Sequence, residues 1–379
     1  MNRTLSKLML LFIILQVMFG AGFGRFFFLN EALSFVGACI AVRSISMRIN
    51  KANFIIYTFV MYGVFYLVAA VMSGNSIYYS LRNFQVIYSA FVFFCGAYAF
   101  RGLNDMQYIF GVWYKYLFLL LTLGLGLTHR LVDFIVSPLF FIKNNVLSIY
   151  KIVLVYLLVH FFIREGATQL LALFFVATLY FMVAESKLRY FMYLIFISGF
   201  IFLFWIFLDC KNINNEGLIY VYKNYGFLAF DPNLIIRVYF WAVSVYKIIA
   251  SGFVGVGIGN ELFYPWQITL TMSTEDETDA LPYLLWPHNS ILGVAVRYGI
   301  FQAYLIICLM IVIYKEFFKL HRMGGAMPMT HALAIAMALS CSSLLLNVNL
   351  ESPLRAASFW AIAGIFYAAI RANKLAMRI

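Results

Sequence analysis

Apolar runs long enough to cross a bilayer follow one another along almost the whole chain, and one long polar interval interrupts them. A hydrocarbon core about 30 Å thick takes roughly 20 apolar residues as a helix. The pattern predicts spans near 8–22, 26–42, 54–73, 84–100, 106–125, 128–142, 145–163, 168–184, 190–208, 299–316, 328–346 and 357–371. The weakest is 128–142, which carries Asp133 and Pro138 and also reads as a re-entrant or interfacial helix. Between the ninth and tenth spans lies the polar interval 209–298. The expected fold is an all-α polytopic membrane protein of about twelve transmembrane helices. It forms a single integral membrane domain over 1–379, with 209–298 as one large loop containing amphipathic helices.

Composition agrees with that pattern. Of the 379 residues 64% are hydrophobic and 11% charged, whereas soluble domains are about a quarter charged. A net charge of +12 raises the question of nucleic acid, but the basic residues form no patch. They sit in short clusters between apolar runs, as the positive-inside rule requires. The five cysteines are scattered, four of them within apolar runs, and show neither metal spacing nor a disulfide framework. Arg3 and Lys7 precede an apolar run as in a signal peptide, but a second apolar run follows at once, so the first reads as an uncleaved span.

The charges also set an orientation. With all twelve spans counted and the N-terminus in the cytoplasm, Arg43, Arg48, Lys51, Arg101, Lys143, Lys187, Arg189, Lys315, Lys319, Arg322, Arg371, Lys374 and Arg378 face inward. Arg25, Arg82, Arg130 and Arg355 form the outer minority. Both termini are then cytoplasmic and 209–298 lies on the outer face, with five basic against eight acidic residues.

Within the interval, Asp231-Pro232-Asn233 marks a helix start. The helix runs to about Ile249, with Arg237 and Trp241 on one face at i, i+4. Its aromatic residues suit headgroup depth. Next comes Gly255-Val256-Gly257-Ile258-Gly259-Asn260, whose alternate glycines allow a tight turn with backbone N–H groups able to hold an anion. No strand–helix unit surrounds it, so it is no dinucleotide fingerprint. The acidic run Glu275-Asp276-Glu277-Thr278-Asp279 lacks a turning glycine and a second ligand cluster, and reads as a solvated loop. The interval closes on Trp286-Pro287-His288-Asn289, just before a long apolar helix. A titratable imidazole there is a candidate for chemistry, with a helix-capping histidine as the plain alternative. Earlier, Arg164-Glu165 lies at the outer end of a span, where the arginine either binds phosphate or snorkels beside Glu165.

Taken in order, Arg164-Glu165-Gly166-Ala167, Arg237 with Trp241, Gly255 to Asn260, and His288-Asn289 followed by Gly299 resemble the O-antigen ligase and O-antigen polymerase superfamily. The likeness covers about 160–316; the other spans match in number and hydrophobicity. Two positions depart from the pattern: Glu165 is interposed before Gly166, and Gln302 stands where a small residue is usual. This drift favours the more variable polymerases.

The resemblance implies glycosyl transfer on the periplasmic face of a bacterial inner membrane, from a polyprenyl-pyrophosphate-linked glycan to a sugar hydroxyl, with neither metal nor cofactor. His288 would be the general base. Arg237 and Arg164 would clamp the pyrophosphate, and Asn289, Trp241, Gly257 and Gly259 would line the substrate site. Arg297, nine residues after His288, falls about 180° round a continuous helix and would point away. Expected partners are the lipid-linked glycan, membrane lipids and other polysaccharide assembly and chain-length proteins, and not nucleic acid. The alternative within the class is a ligase that transfers glycan to lipid A–core. A lipid-linked glycan transporter should show internal repeats or midplane polar groups, and none is evident. A purely structural subunit would need no Arg–Gly–His set.

Overall fold

The computed structural model describes residues 27–45, 50–99, parts of 147–158, 167–227, 232–263, 287–346, 350 and 353–377. The expected spans at 8–22, 106–125 and 128–142 lie outside the described residues, as do Arg164, Trp286 and the acidic run 275–279. Among the described residues every regular element is helical.

The elements are α1 (Phe27–Ile45), α2 (Lys51–Met72), α3 (Ile77–Tyr88), a 3₁₀ turn (Ser89–Phe91), α4 (Val92–Ala99), α5 (Ala167–Val183) and α6 (Leu188–Leu208). They continue with α7 (Cys210–Glu216), α8 (Leu218–Tyr225), α9 (Pro232–Ala250), α10 (Ser290–Tyr298), α11 (Ile300–Arg322), α12 (Pro328–Leu346) and α13 (Pro353–Ala376). Three of them, Lys51–Met72, Ile300–Arg322 and Pro328–Leu345, are long and apolar enough to cross a membrane. The expected span at 84–100 is instead the end of a longer broken element. It starts at Ile77 and passes through the 3₁₀ turn before α4. Hydropathy missed the first part because it carries Ser80 and Asn83, polar residues that tertiary packing buries.

Helix packing in this chain relies on missing side chains. In α4 a Cβ on Gly96 would lie 2.4 Å from the Ala361 carbonyl oxygen of α13. Reciprocally, a Cβ on Gly364 of α13 would lie 2.0 Å from the Phe93 carbonyl oxygen. The two backbones therefore meet directly, the close approach that small residues allow in membranes. Phe93 stands against Tyr367 across the same seam, ring centroids 6.1 Å apart.

Polar bonds tie α2 and α3 to α11 and to the interval after α6. The Gln302 side-chain amide of α11 donates to the Phe59 carbonyl of α2 at 2.6 Å. The Tyr298 hydroxyl of α10 donates to the Asn83 carbonyl of α3 at 2.8 Å, and the Tyr66 hydroxyl of α2 donates to the Val254 carbonyl. Each donor is a side chain and each acceptor a main-chain carbonyl, so each fixes one element against another at a single point.

Candidate functional site

The candidate site is built on α9 and α10, which pack against each other. Pro232 opens α9, where its missing N–H costs nothing in a helix's first turn. The helix is continuous to Ala250, so Arg237 and Trp241 do stand one turn apart on one face. Arg237 is half-buried. Trp241 is only 7% exposed, and its indole N–H has no acceptor among the described residues.

The other wall begins at Pro287-His288-Asn289. Asn289 caps α10: the Leu292 N–H donates to its side-chain oxygen at 3.0 Å. Asparagine is among the strongest capping residues because that bond satisfies one of the orphan donors of the first turn. The next residue is tied down as well, with the Leu350 N–H donating to the buried Ser290 hydroxyl at 3.1 Å. His288, half-buried just before the cap, adopts φ +52°. This left-handed conformation costs an L-residue about 1–2 kcal/mol, and it persists because buried Pro287 precedes it and a double-anchored helix start follows. Non-glycine residues held this way cluster at functional sites. Capping belongs to Asn289, so His288 is not the cap of this helix.

Below this lies the glycine run. Val256 donates its N–H to the Val296 carbonyl at 2.7 Å, and Gly257 donates to the Arg297 carbonyl at 3.1 Å. Gly255 donates to the Ser251 hydroxyl at 3.0 Å, while Ile300 donates to the Phe253 carbonyl at 3.1 Å. The run thus docks along the end of α10 and the start of α11. It needs glycine on both sides: a Cβ on Gly255 (φ +91°) would lie 2.6 Å from the Gly299 nitrogen, and one on Gly299 (φ +84°) 2.5 Å from the Val254 carbonyl oxygen. Gly259 closes against α3, where a Cβ would meet the Ser80 hydroxyl oxygen at 2.3 Å. The N–H groups of residues 255–257, which the sequence offered to an anion, are therefore already engaged by the protein. In this geometry Gly257 (φ +84°) serves the turn of the run and Gly259 its close packing on α3.

Two cations that sequence reasoning left without a role hold the far end of the run. Arg297 is fully buried, and its guanidinium donates to the Asn260 carbonyl. Burial lowers its pKa to about 10, with nearby Tyr298 opposing, so it remains a cation at neutral pH. Lys247, in the last turn of α9, donates to the Leu262 carbonyl at 2.5 Å. Burial and then the Arg297 charge lower its pKa, against a smaller opposing effect of Glu261. Spacing alone could not reveal that the last turn of α10 receives the glycine run.

The structure therefore places Arg237 and Trp241 on α9, His288 and Asn289 at the head of α10, which packs against α9, and Gly257 and Gly259 in the run packed against α10 and α3. Arg164 lies outside the described residues. Among the described residues no group of three or more His, Cys, Asp or Glu side chains is placed to hold a metal ion. Comparisons with family models, with curated proteins and with solved structures gave no match.

Proposed function

We propose that this chain is a glycosyltransferase that polymerises polyprenyl-pyrophosphate-linked oligosaccharide repeat units, as in O-antigen, capsule or exopolysaccharide assembly. It works from twelve spans in a bacterial inner membrane, with both termini cytoplasmic and 209–298 in the periplasm. The observation that carries this reading is His288, held left-handed at the head of α10 beside the helix that bears Arg237.

The chemistry suits those residues. The acceptor sugar's hydroxyl oxygen forms the new bond to the donor's anomeric carbon as the bond from that carbon to the phosphate oxygen breaks. His288, neutral, takes the hydroxyl proton, and polyprenyl pyrophosphate leaves with the bonding pair. Arg237, joined by Arg164, holds the departing oxygens through paired N–H bonds, which strengthen as negative charge gathers there. An arginine keeps its charge at the membrane surface where a lysine can lose it.

Two experiments test this reading. Deletion should leave surface glycan capped by a single repeat unit, because ligation continues without polymerisation. Polymer accumulating on the carrier with no attached glycan would assign the ligase reaction instead. Single cysteines introduced as Lys187→Cys, Asp276→Cys and Arg322→Cys test the orientation with an impermeant thiol reagent on intact cells. Position 276 should label and the other two should not; the reverse would remove the periplasmic site.

A further inference from the structure

We infer that the inner ends of α2, α11 and α13 form a binding site for an anionic phospholipid, its headgroup lying among Lys51, Lys319, Arg371 and Lys374. The site is separate from glycan transfer. It takes from the reading above only that these helix ends face the cytoplasm.

The fold gathers the charges from three helices. α11 packs against both α2 and α13. Near the end of α11 the Glu316 carboxylate accepts a hydrogen bond from the Lys374 ammonium of α13. Lys319, one turn further along α11, and Lys51, the first residue of α2, act electrostatically on the same carboxylate. Arg371 precedes Lys374 by one turn, and Arg371 and Glu316 both act on Tyr367. Four cations thus meet one carboxylate and keep a net charge of +3. Lys51, Lys319 and Arg371 are exposed and form no ion pair among the described residues.

Orientation of the chain does not require this convergence. The positive-inside rule asks for cations on the inner side, not for those of three helices to surround one acid. Arg189, at the start of α6, is differently employed: its guanidinium lies 5.0 Å from the centroid of the neighbouring Tyr190 ring and donates to that hydroxyl at 3.2 Å.

The surface leading up to the charges decides between a lipid and a soluble anion. On α11 the exposed residues Ile307, Ile311, Lys315 and Lys319 recur at every fourth position, so two aliphatic side chains lead along one stripe to two ammonium groups. On α2 exposed Phe54 follows Lys51 by one turn. Both helices are long and apolar enough to cross a membrane. A soluble anion would use the charges and leave the stripe bare, whereas a phospholipid covers both. Basic pockets between transmembrane helices on the cytoplasmic side bind headgroups that carry several negative charges. A headgroup with two phosphates matches a net charge of +3 better than one with a single phosphate.

The test titrates purified full-length protein in mild detergent with diphosphatidylglycerol and with phosphatidylcholine, reading bound lipid by native mass spectrometry. Diphosphatidylglycerol should be retained and phosphatidylcholine should not. The double variant Lys319→Gln, Arg371→Gln should lose affinity for diphosphatidylglycerol by about twentyfold, with the lipid-free melting temperature unchanged. Glu316→Gln should bind about fivefold more tightly, because it removes the one negative charge. The double variant Lys187→Gln, Arg189→Gln removes the same charge elsewhere on the inner side and should bind as the wild type does. Equal losses in the two double variants would reduce the site to diffuse charge and overturn the inference. Undiminished binding in Lys319→Gln, Arg371→Gln, or equal retention of phosphatidylcholine, would overturn it as well. Displacement of the lipid by equimolar inorganic pyrophosphate would assign the cluster to a soluble anion instead. Lipid in detergent reaches both ends of the helices, so this result is independent of the thiol-labelling test of orientation and of any assay of glycan transfer.

Discussion

Among the described residues two histidines stand at the heads of helices, and the fold holds them in different ways. His331, in the first turn of α12, is buried. Its Nδ1 lies 2.9 Å from the Tyr150 hydroxyl, and its ring meets Phe317 and His321 edge-on with both centroids at 5.1 Å. Protein groups therefore occupy most of its surface. His288 is half-buried, lies outside its helix, and is held in a conformation that L-residues avoid. One histidine supplies packing and a fixed hydrogen bond; the other is kept in place at a cost in free energy. A titratable side chain is thus better judged by what it costs the fold than by its place in the sequence. His331 sits just inside a predicted span and looks as conspicuous in the sequence as His288 does.

The largest expected difference is in activity. His288→Ala should reduce glycan polymer on cells by about 10²–10⁴-fold, the usual contribution of a positioned base, with protein abundance unchanged. His331→Ala should leave activity per folded molecule intact. It should lower stability by about 2–4 kcal/mol through a cavity and an orphaned Tyr150 hydroxyl, read as a fall in melting temperature. Polymer lost from both variants at normal abundance would erase the contrast.

Arg237 comes next. Arg237→Ala should weaken donor binding as well as turnover, because the guanidinium meets the pyrophosphate before and during bond cleavage. Arg237→Lys should restore little, since a point charge cannot copy the paired N–H geometry. Steady-state kinetics with lipid-linked repeat units would check this, and full rescue by lysine would reduce the residue to a simple charge.

Smaller effects are expected from the backbone. Gly299→Ala must place a Cβ 2.5 Å from the Val254 carbonyl oxygen in a left-handed conformation. A loss of about 1–3 kcal/mol follows from such overpacking, measurable by thermal unfolding in detergent. His288→Gly should show the smallest shift and the opposite sign. Relief of the left-handed strain, about 1–2 kcal/mol, is offset in part by the entropy glycine loses on folding. A net gain of about 0–1 kcal/mol remains, and a clearly lower melting temperature would show that the imidazole itself holds this segment together.

How much of this was legible beforehand depends on how local the signal is. Asp231-Pro232 announced the start of α9, and its end at Ala250 falls one residue beyond the expected Ile249, because capping and periodicity are short-range properties. The register of Arg237 and Trp241 followed from the same helix. Gly299 was read as one point in a motif, whereas it is the break that separates α10 from α11 and admits the glycine run. That role depends on Gly255, far away in sequence, and no window of hydropathy can see it. The same limit hid the start of α3, whose polar Ser80 and Asn83 are covered by partners from the interval before α11. Arg297 was read only as pointing away from His288 and Lys247 was given no role, whereas the fold places both against carbonyl groups, those of Asn260 and Leu262.

The most direct test of the central claim is single-turnover transfer by the purified protein from lipid-linked repeat units, comparing wild type with His288→Asn. Asparagine tolerates the left-handed conformation and preserves a hydrogen-bonding side chain, but it cannot accept a proton near neutral pH. The expected result is polymer from the wild type with or without EDTA, and a rate lower by about 10²-fold or more for the asparagine variant at equal folded concentration. Wild-type rates in His288→Asn would contradict the claim and remove the histidine from the mechanism, while abolition by EDTA would bring in a metal that it does not contain.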